Sequence, residues 1–326
     1  LYQAIGYGTT SPGTVYSAVL RFSTSDTLDW YCYYNGSSWT GQLSTTQVFR
    51  DPAAWYHIVV AVDTTQATAA NRQKVYVNGV QQTFSSASYY PQNTVTQWNS
   101  SGGTSYIGRQ GGGDYLDGYL SDVYFIDGQA LEPYYFGSND SNNIWKPIKY
   151  YGTYGTNGFH LDFTNTTSTT TIGYDSSPNG NNWTTNNISL TAGTTYDAMT
   201  DVPTNTSATA SNFCVINPLD NGGNSISNGN LYASLSGTSG VYRSTRTTFG
   251  VSSGKYYWEA TETSTNSSFG ITSGLISGGT AYGAQWVLFA NGSTFTSAAT
   301  YSGTTPTFTT NDTMGLAFDV GGLTLG

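Results

Sequence analysis

With 19 acidic and 10 basic side chains among 326 residues, the formal net charge is −9, which argues against nucleic acid, whose phosphates are held by Lys and Arg. Only 9% of residues are charged, 15% are aromatic and Gly alone contributes 39; few helix formers remain, so an all-β chain rich in turns is expected rather than disorder. The length suits two domains of roughly 100 to 200 residues each, and without an apolar run of about 18 residues or a basic leader, neither a membrane span nor a signal peptide is expected.

The chain opens without Met in the strand-like run Leu1-Tyr2-Gln3-Ala4-Ile5 and reads as a segment of something longer. Residues 16–22 and 27–34 alternate as strands do, and Asn35-Gly36 turns the chain. Asp51-Pro52 then interrupts it, because Pro lacks an N–H and restricts its predecessor. From Trp55 to Asp63 a two-residue period sets Ile58, Val60 and Val62 on one face, expected to be the core, and Val59 and Ala61 on the other. Residues 64–72 are polar and aperiodic, hence a loop. In Lys74-Val75-Tyr76-Val77-Asn78-Gly79-Val80 the Asn-Gly pair supplies the positive φ angles of a tight hairpin turn, and another strand should begin at Val80. Residues 85–103 carry Tyr89, Tyr90 and Trp98 among polar residues without alternation and are expected to form a long rim loop.

This order, continued by Tyr106-Ile107-Gly108-Arg109, Leu116-Asp117-Gly118-Tyr119-Leu120-Ser121-Asp122-Val123-Tyr124-Phe125 and Gln129-Ala130-Leu131, resembles the laminin-G-like, or concanavalin-A-like, jelly roll over residues 1–137, and these last three runs look like that family's closing strands. Residues 138–211 are read as a Gly/Asn/Ser-rich connector with short strands, among them Phe159-His160-Leu161-Asp162-Phe163. The turn-laden Asp175-Ser176-Ser177-Pro178-Asn179-Gly180-Asn181-Asn182-Trp183-Thr184 looks like the opening of another such unit; the rest does not follow, so it is taken to pack on a neighbour. From 212 to 326, Ser253-Gly254-Lys255-Tyr256-Tyr257-Trp258-Glu259, Phe269-Gly270-Ile271 and Asp312-Thr313-Met314-Gly315-Leu316-Ala317-Phe318-Asp319 resemble a SPRY sandwich, incomplete because the expected F-Y-K-N-G strand is absent. The fold class expected is therefore all-β, two β-sandwich modules joined by a connector. The module order, with V-P-T-N, N-P-L and S-N-G-N-L between, is similar to appendage proteins of tailed bacteriophages. That resemblance implies a tail or capsid fibre on the virion surface, with other virion proteins and bacterial surface glycan as partners and a homotrimeric assembly.

The side chains give little chemistry. A jelly-roll glucanase needs two carboxylates facing one cleft, a general acid and a nucleophile, about 5 to 5.5 Å apart in retaining enzymes. The only glutamates are Glu132, Glu259 and Glu262, and the latter pair, three apart on a strand, point to opposite faces. His57 and His160 stand in strand-like runs with no nucleophile beside them and are read as structural. Many laminin-G-like domains bind Ca²⁺ near a rim, and Asp114, Asp117, Asp122 and Asp127 have suitable oxygens, but Asp117-Gly118 and Asp127-Gly128 are more simply turns. No cofactor or metal is therefore expected, with Ca²⁺ at these aspartates as the alternative. Cys32 and Cys214 fall in different proposed modules, so no disulfide is expected, and the Asn-X-Ser/Thr triplets follow from composition.

Trp39, Tyr89, Tyr90 and Trp98 lie in polar, loop-like contexts where a flat ring with a polar tip can stack on sugar, and they are the candidate carbohydrate-binding residues. The expected function is a non-enzymatic adhesion protein of a virion that presents loops to host glycan. The rival readings are a secreted carbohydrate-active enzyme or its binding module, and a passive capsid decoration.

Overall fold

A computed structural model describes residues 3–9, 17–34, 38–96, 98, 104–109, 115–141, 143–191, 196–204, 207, 210–234, 243–251, 253–264, 267–272, 286–289, 294–296 and 306–319. In chain order its first strands are β1 (Gln3–Thr9), β2 (Ser17–Phe22), β3 (Thr27–Tyr34), β4 (Ser38–Val48), β5 (Ile58–Val62), β6 (Gln73–Val77) and β7 (Val80–Gln81). There follow β8 (Phe84–Ser88), β9 (Thr104–Ile107), β10 (Val123–Phe125), β11 (Gly137–Asn139), β12 (Trp145–Pro147) and β13 (Phe159–Leu161). Antiparallel pairing gives a six-stranded sheet, β8-β4-β3-β2-β1-β9, and a three-stranded sheet, β5-β6-β7.

The two sheets face each other as a jelly-roll sandwich, for the reason legible in their alternation. Ala18 and Leu20 of β2, Leu28, Trp30 and Cys32 of β3 and Leu43 of β4 share one face with Val75 and Val77 of β6, and Ile58, Val60 and Val62 of β5 pack on them. Each large apolar side chain removed from water here contributes about 1.5 to 3 kcal/mol. The turn from β6 to β7 has φ of 49° at Asn78 and 78° at Gly79, the pair of positive values that the Asn-Gly signal required.

Two sequence expectations are corrected. Residues 85–103 do not form one continuous loop: β8 opens the stretch and pairs with the edge of β4 through Gln42↔Ser88, Leu43↔Ala87 and Ser44↔Ser86. Its residues after Phe84 are exposed, so no apolar period marked the strand; backbone pairing holds it, together with the Ser85 hydroxyl, which donates to the carbonyls of Ser44 and Thr45 at 3.3 and 3.4 Å. Within 116–131 only β10 is a strand, and it pairs with β13 rather than with the sandwich, Tyr124 opposite His160.

That pairing builds a third layer. Val59, on the second face of β5, packs with Tyr124, Ile126 and Leu131 against the buried Phe136, Tyr150 and Tyr154. The rings interlock: Tyr124 stacks on His160 at 4.0 Å and 8°, and Phe136 lies 5.1 Å from Tyr150. The stretch around Asp175 fastens this layer. Asp175 Oδ1 accepts the backbone N–H of His160 and of Ser177, each at 2.8 Å, and Oδ2 accepts Ser177 Oγ at 2.8 Å and the Asn181 N–H at 2.7 Å. Asn179 and Asn181 then donate their side-chain amides to the carbonyl of Gly158, at 2.8 and 2.9 Å. Gly158 cannot carry a side chain, since a Cβ would lie 1.9 Å from the Tyr154 carbonyl oxygen. The D-S-S-P-N-G-N-N-W-T motif is thus a set of hydrogen-bond anchors for the 150–158 loop.

The chain divides into two compact units, Leu1–Phe213 and Cys214–Gly326, so residues 138–211 lie within the first. The second unit contains β14 (Ser225–Ser227), β15 (Tyr232–Ser234), β16 (Lys255–Thr261), β17 (Ser268–Ile271), β18 (Trp286–Phe289), β19 (Thr294–Thr296) and β20 (Thr313–Asp319). β16 pairs with β20, and Met314, Leu316 and Phe318 are half-buried between exposed neighbours. Trp258 meets Phe269 edge-on at 6.3 Å, and Phe269 lies 5.4 Å from the buried Phe308. Every regular element among the described residues is a strand or a short 3-10 turn, as the composition indicates.

Candidate functional site

The face of the six-stranded sheet turned away from the core holds a row of polar and aromatic residues set by register. Tyr31 lies opposite Val19 and Gln42, and Asp29 opposite Arg21 and Ser44. Arg21 places its guanidinium 4.7 Å over the Tyr31 ring and its Nε 3.9 Å from Asp29 Oδ2. Ser44 Oγ and Thr27 Oγ1 donate to Asp29 Oδ1 at 2.5 and 3.0 Å. Val19 and Tyr31 are buried and Arg21 keeps only 16% of its side-chain exposure, so the middle of this row is framework.

At one edge the row opens to solvent. β9 pairs with β1 there, Tyr106 opposite Tyr7, and the chain turns at Gly108, where φ is 79° and nothing lies within 4 Å of a Cβ position. Tyr115 returns in a bridge with Arg109, and the Leu116 N–H donates to the Gly108 carbonyl at 2.8 Å. Three side chains are stacked as a result. The Arg109 guanidinium carbon lies 4.3 Å from the centre of the Tyr106 ring and 5.6 Å from that of Tyr115. Tyr106 and Arg109 are half-buried, whereas Tyr115 is 60% exposed. Such cation–π contacts fix both partners in place. The run Tyr106-Ile107-Gly108-Arg109 was visible in the sequence as part of a strand; its role was not, because Tyr115 joins it only through the bridge.

The residues singled out in sequence fall elsewhere. Tyr90 is fully buried, its ring edge-on to Trp30 at 6.3 Å, its backbone N–H donating to Gln73 Oε1 at 2.6 Å. It fills the space that Gly41 leaves, where a Cβ would lie 2.9 Å from the Tyr90 ring. Burial, with the Cys32 side chain beside the hydroxyl, pushes the Tyr90 pKa up. Its ring therefore presents no surface to a sugar. The apolar body of the ring outweighed its polar sequence neighbours. Tyr89 and Trp98 are half-buried against the same core, Trp98 6.0 Å from Trp30. Trp39 lies opposite Tyr33 in the β3–β4 ladder, and its side chain is outside the described residues.

Both histidines are packed. His160 Nε2 lies 2.9 Å from Asp122 Oδ1, and His57 Nδ1 accepts the Trp145 indole N–H at 3.0 Å. Asp127 Oδ2 accepts the backbone and side-chain N–H groups of Asn157 at 3.1 and 2.9 Å, Asp117 is exposed, and Asp114 lies outside the described residues. Among the described residues no group of three or more His, Cys, Asp or Glu could hold a metal ion. Glu132 lies 3.7 Å from Lys74, Glu259 accepts the Tyr257 hydroxyl at 2.7 Å, and the buried Glu262 accepts from Ser264 and Ser267. None of the three glutamates is bonded to another carboxylate among the described residues. No helix among those residues is long and apolar enough to cross a membrane.

Residues 3–133 match the Laminin_G_3 family model, described as the concanavalin A-like lectin/glucanases superfamily. No curated protein and no solved structure matches the chain. The first unit is therefore similar to a family of lectins and glucanases, and its fold is compatible with carbohydrate or adhesion binding.

Proposed function

We propose that this chain is a non-enzymatic glycan-binding adhesion protein, and that the edge formed by Tyr106, Arg109 and Tyr115 is where the first unit meets sugar. The observation that carries the reading is the Tyr115 ring, 60% exposed and held by the guanidinium it stacks on. A ring already ordered loses little rotamer entropy on binding, and its face suits the apolar face of a pyranose. The lectin-type match spans these residues. The engagement of Glu132, Glu259 and Glu262 with other partners favours binding over hydrolysis, which needs two carboxylates at one bond.

The module order in the sequence supports a place on a bacteriophage virion, as a tail or capsid fibre whose second unit is a SPRY-like sandwich. A homotrimer would raise weak single-site binding through avidity, by about 10² to 10⁴. Screening the full chain on a glycan array, with Tyr115→Ala beside it, tests the binding reading. Wild-type binding that drops in the variant, with an unchanged melting temperature, is expected. Release of sugars from a polysaccharide would replace the reading with an enzymatic one. Imaging labelled particles tests the virion location.

A further inference from the structure

We infer that Arg109 is an anion receptor and that the ligand of this edge is an acidic saccharide, one bearing a carboxylate or sulfate ester; this rests on the glycan-binding reading above. The chain has six arginines, at 21, 50, 72, 109, 243 and 246. Five are given an oxygen by the protein itself. Arg21 faces Asp29, Arg50 Nε lies 2.8 Å from Asp26, and Arg246 meets Asp220. Arg72 donates to the carbonyls of Gln66, Ala67 and Tyr90, and Arg243 to that of Gly223 at 2.6 Å. Arg109 differs. Among the described residues its contacts are the two tyrosine rings, and its buried Nε, which like that of Arg21 makes no hydrogen bond, has no carboxylate beside it, where Arg21 has Asp29.

A guanidinium is a planar fork of five donors with no acceptor, and leaving a buried donor unpaired is costly. With 19 carboxylates against 10 basic side chains, pairing this arginine internally would have needed little. With the two rings 4.3 and 5.6 Å from the guanidinium carbon and Nε buried, a ligand would approach through the edge formed by its two terminal Nη groups. That edge matches the two oxygens of a carboxylate or sulfate in a bidentate contact. The exposed Tyr115 ring beside it selects a saccharide among oxyanions, by stacking on the ring that carries the charge. The net charge of −9 does not oppose this at physiological salt, where charges beyond about 8 Å are largely screened.

Calorimetric titration of the full chain tests this with three probes: an oligouronate, a sulfated oligosaccharide and a neutral oligosaccharide of equal length. Wild type is expected to bind at least one acidic probe roughly tenfold or more tightly than the neutral one, as a charge-assisted bidentate contact allows. Arg109→Gln should erase the preference for the acidic over the neutral probe, while Arg109→Lys, a point charge without the fork, should retain only part of it. The uronate and sulfated arms decide which oxyanion is read. Equal affinity for acidic and neutral probes, or an unchanged preference in Arg109→Gln, overturns the inference and leaves glycan binding standing. If no probe binds, inorganic sulfate is titrated against wild type and Arg109→Gln. Arginine-dependent sulfate binding then sustains the anion receptor while the glycan reading falls, and its absence overturns both. Melting temperatures of both variants within a degree or so of wild type establish that the site alone was changed.

Discussion

Trp145 donates its indole N–H to Nδ1 of His57 at 3.0 Å, joining the β11–β12 hairpin to the start of β5. Two glycines make room for the indole: a Cβ at Gly79 would lie 2.3 Å from its ring, and one at Gly137 2.4 Å. The Asn-Gly turn therefore serves the hairpin and the third layer together, and Gly79→Ala should destabilise the first unit through both strain at φ 78° and collision with Trp145. Trp145→Phe, which keeps an aromatic six-membered ring but loses the pyrrole half and its N–H, should cost about 1 to 3 kcal/mol in urea unfolding.

The same bond fixes a pH dependence. Burial lowers the His57 pKa below 6.5, with Asp122 acting in the opposite sense, and protonated Nδ1 could not accept from Trp145. The unfolded chain thus takes up a proton before the folded one does. The neutral-histidine contribution to stability is complete above the unfolded value of 6.5 and is lost as pH falls below it. Melting temperatures from about pH 8 to about pH 5 should fall on the acid side, and His57→Gln should flatten that part of the curve. A profile identical in the two proteins would remove His57 as the cause.

Asp175 should be among the most sensitive polar positions. Burial raises its pKa, but the N–H groups of His160, Ser177 and Asn181 and the Ser177 hydroxyl outweigh that and hold it below the usual carboxylate value of 3.8. Its contribution is therefore present above about pH 4 and lost as the pH falls further. Asp175→Ala should cost about 3 kcal/mol through several lost charge-assisted bonds, read as a lower denaturation midpoint and faster amide exchange in 150–158.

Tyr90→Ala tests the core rather than the ligand site. Removing a fully buried ring costs about 3 to 5 kcal/mol, so lost adsorption in such a variant would report unfolding. Tyr115→Ala, on an exposed ring, should leave the melting temperature nearly unchanged.

Reductant should leave the circular dichroism unchanged, because Cys32 and Cys214 are both free thiols. Loss of structure on reduction would require a disulfide between molecules.

The sequence by itself determined the strands whose two faces meet different surroundings. Ile58, Val60 and Val62 announced an apolar face by period, and Asn78-Gly79 announced a turn by the φ angles it tolerates; both effects act between neighbours in the chain. It could not reveal β8, whose residues after Phe84 are exposed and whose only signal is pairing with β4. Nor could it place Tyr90 in the core, because its polar neighbours described the surface and only Gly41, far off in sequence, opened the space it fills. The third layer and the candidate site were decided at the same level. Val59 and Phe136, and likewise Arg109 and Tyr115, are brought together by sheet pairing and bridges. Stacking and burial of that kind depend on distances in space, which no local pattern of residues encodes.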